Sequence, residues 1–356
     1  MSELLRGPVE VVGTGLLGTS IGLACRRAGI DVVLADVSLE NLRTATGLAA
    51  GRARIQADRP QLVVVAVPPD HLGSEIVAAL ERTDAVVTDV GSIKGEPART
   101  VHEQAPGAAA RYVGGHPMAG SERSGPLAAS AAMFDGRPWA VTPAEGADPY
   151  AVALVEELAR LSGAVPVRMS PEEHDRAVAR TSHLPHLFAV LVAGRLADAP
   201  AEHLALSGQG VRDVTRIAGG DPRLWEQIVA LNAGALSDVL AEVRAELDVL
   251  QAAVSDGDRT VLGGLLERGV AGTRAIPGKH GGPPAPVQTV YVSVPDHPGE
   301  LARLFGDAGA SGVNIEDIHI DHDPGRPVGL VELVVSVDRA EALLVALESR
   351  GWQTHR

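Results

Sequence analysis

Val9-Glu10-Val11-Val12-Gly13-Thr14-Gly15-Leu16-Leu17-Gly18 decides the fold, together with the apolar run to about Ala28 and Asp31-Val32-Val33-Leu34-Ala35-Asp36 behind it. The order is β-run, glycine turn, helix, second strand, terminal acid. Gly13 permits a tight turn, Gly15 lets the backbone approach a pyrophosphate, and Gly18 lets the helix pack on the strand. The helix start at Leu16 and Leu17 offers unsatisfied N–H groups and positive dipole to a phosphate. Asp36 can accept hydrogen bonds from a ribose diol and would repel a 2′-phosphate, which favours NAD over NADP. The alternative is a glycine turn with no ligand. The flanking strands, the helix and the acid together favour the dinucleotide site.

Outward from this stretch, strands and helices alternate as far as Arg168. Leu62 to Val67 reads as a third strand stopped by Pro68-Pro69, with Val67 and Pro68 expected beside the cofactor. Asp70 to Glu81 reads as helix and Ala85 to Val90 as strand, running into Gly91-Ser92-Ile93-Lys94-Gly95. Short strands follow at Tyr112 to His116, Trp139 to Thr142 and Val165 to Arg168, with a helix from Pro149 to Ser162. Alternation with continuous apolar strands predicts an α/β Rossmann-type parallel sheet over residues 1–169, covered on both faces. Ligands then sit at the carboxyl ends of the strands.

Residues 170–276 read as helix only. Ser170-Pro171-Glu172-Glu173 is a capping box with proline at the first helical position. Asp221-Pro222 opens a second long helix, apolar at Leu224, Ile228, Leu231, Ala235, Val239, Val243, Leu247, Leu250 and Val254. Steps of three and four over about 30 residues predict a helix of roughly 45 Å. Such length serves either an intrachain bundle or, as expected here, a homodimer made through an all-α dimerisation domain. Residues 277–286 are a linker by composition, and residues 287–356 read as a ferredoxin-like βαββαβ module.

The 356 residues carry a formal net charge of −14, which argues against nucleic acid or an anionic membrane surface as partner. Cys25 is the single cysteine, so no disulfide can form within the chain. With no signal-like start and no apolar run long enough to span a bilayer, the expectation is a cytoplasmic protein.

Two glycine-rich loops carry the candidate chemistry. Gly91-Ser92 ends one strand and Gly114-Gly115-His116-Pro117-Met118-Ala119-Gly120-Ser121-Glu122 ends the next. A histidine with an ordinary pKa of about 6.5 can take a proton from a hydroxyl while hydride leaves the same carbon. Ser92 could position either the hydroxyl or the imidazole. The plainer alternative is a turn histidine held by Pro117. Within Thr181-Ser182-His183-Leu184-Pro185-His186 the two histidines lie one turn apart on one face, and Pro185 should kink the helix. They could touch substrate or simply be satisfied by the fold; no third ligand of matching spacing supports a metal. Arg212 and Arg216 are four apart, with Asp213 between them. They offer either carboxylate capture or a solvated charged face.

These motifs, in this order, resemble the prephenate (or arogenate) dehydrogenases of tyrosine biosynthesis over about residues 8 to 280. The resemblance implies a Rossmann domain, a dimerising helical domain, NAD as cofactor and prephenate or arogenate as substrate. It implies that His116 is the catalytic histidine on the ring hydroxyl, assisted by Ser92. Arg216 would bind a substrate carboxylate and His183, and with it His186, would contact substrate. Lys94, Ser121, Glu122 and Asp213 fall in matching substrate-site motifs, and Arg274 to Gly281 resembles a further family segment. The tail resembles an ACT domain: His297 and Gly299, with Asn314 and Ile315, match the motifs that hold a free amino acid. That implies a regulatory site for an aromatic effector such as tyrosine. The rival readings are an arogenate or amino-prephenate dehydrogenase, a β-hydroxyacid dehydrogenase (which would want a lysine where this chain has histidines), and a non-catalytic nucleotide-bound amino-acid sensor.

Overall fold

The computed structural model describes residues 4–120, 124–277, 286–322 and 328–355. The chain forms two compact units, Met1–Val249 and Leu250–Arg356.

The first unit begins with β1 (Val9–Val12), α1 (Leu16–Arg27), β2 (Val32–Ala35), α2 (Leu39–Gly47), β3 (Arg52–Ala53), β4 (Leu62–Val65), α3 (Pro69–Arg82) and β5 (Val86–Asp89). The five strands pair in parallel in the order β3-β2-β1-β4-β5. This is the order of dinucleotide-binding sheets, with the switch point between β1 and β4. β4 and β5 are buried along their whole length. That is why β4 is an unbroken apolar run: helices cover both faces; β5 is apolar at Val86 and Val87 and turns polar at Thr88 and Asp89. Val11, Val64 and Ile21 pack on one side, and Val63, Val65, Leu72 and Ile76 on the other. The sequence offers no sign of β3, two exposed residues without apolar alternation.

The expected single parallel sheet does not continue. After α4 (Gly95–Gln104), β6 (Gly114–Pro117), β7 (Pro138–Thr142), α5 (Pro149–Leu161) and β8 (Val165–Arg168) build a separate three-stranded sheet. There β6 runs antiparallel to β7, and β7 parallel to β8. One bridge, Val87 to Tyr112, ties it to β5, reinforced by the Val113 N–H donating to the Val87 carbonyl at 3.0 Å. Apolar periodicity locates a strand but does not name its partner.

The helical region holds α6 (Pro171–Val178), α7 (Leu184–Leu196), α8 (Ala201–Leu204), α9 (Gln209–Thr215), α10 (Pro222–Leu231) and α11 (Ala233–Asp256). Ser170 caps α6 by accepting from the Glu173 N–H at 3.1 Å, as the capping box predicts. Where a kink is expected at Pro185, the structure has a five-residue π-helical turn over Ala179–His183. Pro185 has no N–H for the carbonyl four residues back, and the ladder widens just ahead of it. The single long helix expected from Pro222 is two helices broken at Asn232, where φ is −110° and ψ 25°.

The second unit contains α12 (Arg259–Ala275), then β9 (Val287–Pro295), α13 (Glu300–Ala310), β10 (Ile315–His322), β11 (Val328–Ser336), α14 (Val337–Glu348) and β12 (Gln353–His355). Its four strands form an antiparallel sheet in the order β10-β11-β9-β12. The βαββαβ element order is the one the sequence predicts. Val290, Val292 and Val294 alternate inward with Val331, Leu333 and Val335 against Leu304, Leu343 and Leu347 of the two helices. Residues 278–285, most of the expected linker and part of the segment Arg274 to Gly281, lie outside the described residues. Among the described residues no helix is long and apolar enough to cross a membrane.

Candidate active site

The turn between β1 and α1 has no room for side chains on its inner side. Gly13 sits at φ +94°, and a Cβ there would stand 2.4 Å from the Ala66 carbonyl oxygen; one on Gly18 would stand 1.9 Å from that of Gly13. At Gly15 a Cβ would meet nothing within 4 Å, so this backbone faces open space. No side chain caps α1, leaving its first N–H groups, from Leu16 and Leu17 onward, directed at that space. Asp36 is fixed beside it: the Thr14 N–H and Oγ1 donate to Oδ2 at 2.5 and 2.7 Å, and the Ser38 N–H donates to Oδ1 at 2.7 Å. Next to Asp36 lies a cavity of about 300 Å³ lined by Val12, Val37, Arg54, Glu75 and Arg82. Its place at the carboxyl ends of β1 and β2 suits the adenosine half of a dinucleotide. Pro68, exposed, is the cap residue just ahead of α3, and Val67 before it is half-buried. A larger depression, about 960 Å³, lies at the amino ends of β4 and β5, the end where such sheets do not bind ligands.

His116 stands on β6, partly exposed. Its Nδ1 meets His174 Nε2 at 2.9 Å, and His174 Nδ1 meets Asp175 Oδ1 at 2.8 Å. The chemistry of the last group orders the whole line. A carboxylate only accepts, so His174 donates through Nδ1 and, when neutral, accepts at Nε2. His116 therefore donates through Nδ1, and its Nε2 is left as a lone-pair acceptor. Asp175 is held in turn by the N–H groups of Lys94 and Gly95, at 2.9 and 2.8 Å, where α4 begins. Burial foremost, then the neighbouring His174, Lys94 and His183, hold His116 well below the ordinary imidazole range.

Asn232 extends the network. Its Nδ2 donates to the Asp175 carbonyl oxygen at 2.9 Å and to His183 Nδ1 at 3.1 Å. His183 is 1% exposed, and its pKa is pushed down to about 4, chiefly by burial. His186 stacks on Trp225, with centroids 3.5 Å apart and planes 7° from parallel, and hydrogen-bonds the main chain of Ile217. That contact seats the turn bearing Arg216, which is exposed and forms no ion pair with any described residue. Asp213 is exposed and accepts from Gln209 Nε2 at 2.8 Å. Ser92 is half-buried on the loop between β5 and α4, and forms no hydrogen bond with a described residue. Lys94, expected at the substrate, instead points inward, 1% exposed and paired with Asp89. Ser121 and Glu122 lie outside the described residues.

Sequence reading missed His174, Asp175, Asn232 and Trp225. Asn232, a poor helix former placed inside an apolar helical stripe, was the available signal. His174-Asp175 follows an ordinary capping box and gives none.

Histidines held neutral by the fold make stability depend on acid. The unfolded chain protonates these rings near pH 6.5 while the folded one resists, so the unfolded state binds more protons below that pH. Stability is then full above about pH 6.5 and falls as pH drops toward 4. Thermal melting over this range should show a falling Tm, with a smaller fall in a His183→Gln variant. A Tm that is flat from pH 6.5 to 4.5 would contradict the assignment.

Two family models match the chain: "Prephenate dehydrogenase, nucleotide-binding domain" over residues 21–168 and "Prephenate dehydrogenase, dimerization domain" over residues 170–268. The probable prephenate dehydrogenase NovF of Streptomyces niveus is 39% identical, covering 96% of this chain and 98% of that protein. The prephenate dehydrogenase of Bacillus subtilis (strain 168) is 28% identical over 89% of this chain and 88% of its own. Among solved structures, prephenate dehydrogenase from A. aeolicus in complex with hydroxyphenyl propionate and NAD+ superposes with a TM-score of 0.69. It is 26% identical, over 76% of this chain and 99% of that one.

Proposed function

The chain belongs to the prephenate dehydrogenase family, and we propose that it catalyses the NAD-dependent oxidative decarboxylation of prephenate to 4-hydroxyphenylpyruvate in tyrosine biosynthesis. The observation that carries the reading is the ordered line Asp175–His174–His116, which leaves one imidazole nitrogen as an acceptor. It stands on a strand tied to the edge of a dinucleotide-binding sheet.

Bound NAD+ supplies the hydride acceptor. The glycine turn and α1 would hold its pyrophosphate, and Asp36 would take the ribose diol. His116 Nε2 accepts the proton of the ring hydroxyl as hydride leaves the same carbon. The C–C bond to the ring carboxylate then breaks, its electron pair completes the aromatic ring and moves the carbonyl pair onto the oxygen, which takes the proton back from His116, and carbon dioxide departs. His174 and Asp175 share the positive charge that appears on His116. Arg216 anchors a carboxylate, and Ser92 orients the hydroxyl. His183 and His186 shape the pocket with Trp225, and Asp213 steadies the segment that carries Arg216.

The exposed apolar side chains of the helical region, such as Leu191 on α7 and Leu247 on α11, support a homodimer through that domain. We further propose that the antiparallel module is an ACT-type regulatory domain. Gly299, left-handed at φ +95°, caps α13 behind His297, and Asn314 stands just before Ile315, the first residue of β10. These positions would hold tyrosine or a related amino acid. The location is proposed as cytoplasmic.

The test is NADH formation with prephenate and with arogenate side by side, with and without tyrosine. Turnover of arogenate alone would move the substrate assignment, and no turnover of either acid would end it. An unchanged rate with tyrosine would remove that effector. For the cofactor, Asp36→Ala should raise the KM for NAD tenfold or more, since hydrogen bonds to a charged group contribute about 1.5–3 kcal/mol. Unchanged KM values would take Asp36 off the ribose.

A further inference from the structure

Lys94 is wholly buried, so it cannot touch a substrate, yet a buried ammonium is retained only where its partners are fully supplied. Its ammonium pairs with Asp89 and donates to the Gly115 carbonyl at 2.7 Å, one residue ahead of His116. Asp89 is completed by the Tyr112 hydroxyl and the Gly91 N–H, both donating at 2.9 Å. The chamber leaves no space along β6: a Cβ on Gly114 would stand 3.1 Å from Lys94 Cδ and 2.5 Å from Thr142 Oγ1. At its other end, the Lys94 N–H donates to Asp175, the terminus of the line that orders the His116 ring.

We infer that Lys94 is a positioning residue for His116: its ammonium fixes the main chain before the imidazole, while its main-chain N–H fixes the carboxylate that orients the ring. This rests on His116 as the base. A fixed positive charge beside the base also favours its unprotonated form, so Lys94 sets the lower end of the working pH range. The other groups bearing on His116 are His174, His183 and, through His174, Asp175. Asp89 and Asp175 bear on Lys94, and Tyr112 on Asp89.

Removing Lys94 alone would strand Asp89 as an unpaired buried charge, so the pair is replaced together. The variant Lys94→Met with Asp89→Asn keeps the main-chain N–H to Asp175 and deletes the ion pair whole; of its two charges, the ammonium is the one that bears on His116. It should bind NADH as the unaltered enzyme does, hold the KM for prephenate within about threefold, and lose roughly 10–100-fold in kcat, the scale of a small misplacement. The acid limb of its kcat/KM profile should move to higher pH. Lys94→Gln with Asp89→Asn restores a donor for the Gly115 carbonyl without charge. It should recover part of kcat while keeping the shifted limb, and it carries the test alone if the methionine variant does not fold. An acid limb that stays in place in both overturns the inference, as does a kcat loss matched by equal losses in NADH and prephenate affinity, which is a merely structural effect. His116→Asn run in parallel separates the two readings. If it keeps turnover, the base assignment fails; if it loses turnover while both pair variants behave like the unaltered enzyme, only the role of Lys94 fails.

Discussion

His116→Asn lowers kcat by about 10²–10⁴-fold, the usual result of removing a general base, and leaves NAD affinity unchanged. Asparagine keeps an amide that can meet His174 Nε2, so the line to Asp175 survives in outline. What disappears is the acceptor nitrogen on the opposite side of the ring. The groups proposed to bind the nucleotide (the glycine turn, the start of α1 and Asp36) belong to other elements and lose no contact. Steady-state kinetics from pH 6 to 9, with NADH binding followed by fluorescence, check this. The loss should persist across the range, because no pH restores the missing lone pair. Turnover within tenfold of the unaltered enzyme would remove His116 as the base.

Arg216→Ala raises the KM for prephenate by roughly 10–100-fold, in line with about 1.5–3 kcal/mol for a hydrogen bond to a charged group. The guanidinium is exposed and without an acidic partner among the described residues, so its loss leaves no buried charge behind. Melting should therefore be unchanged. The turn it occupies is seated by the His186 contact to Ile217, and that contact does not use the arginine side chain. A selective rise in KM with a smaller change in kcat identifies a group that binds substrate and transition state alike. An unchanged KM would take Arg216 out of the pocket.

The nucleotide-binding sheet was legible in the sequence because local physics repeats itself there. A glycine turn forced by close backbone approach, apolar strands buried on both faces and an acid at the end of β2 each leave a residue-level trace. Pairing across the chain leaves less. The antiparallel meeting of β6 with β7 depends on contacts between residues some 25 positions apart in sequence, and no local pattern records it. The same holds in the site. His116 was visible because glycines and proline surround it, whereas His174 and Asp175 sit in an unremarkable helical turn 58 and 59 residues later. Lys94 shows the limit of reading a motif by residue type: its neighbourhood was recognised, but the direction of its side chain is decided by Asp89, Tyr112 and Gly115 together.

The widened turn at Ala179–His183 makes spacing as important as chemistry in this region. One residue more or fewer rotates everything after it by about 100° around the helix axis. Arg180, Thr181 and Ser182 thus exchange for other side chains more readily than the segment changes length. A one-residue contraction would unscrew His186 from Trp225 while leaving every named side chain in the chain. An alignment that merely preserved the two histidines would fail to register the damage.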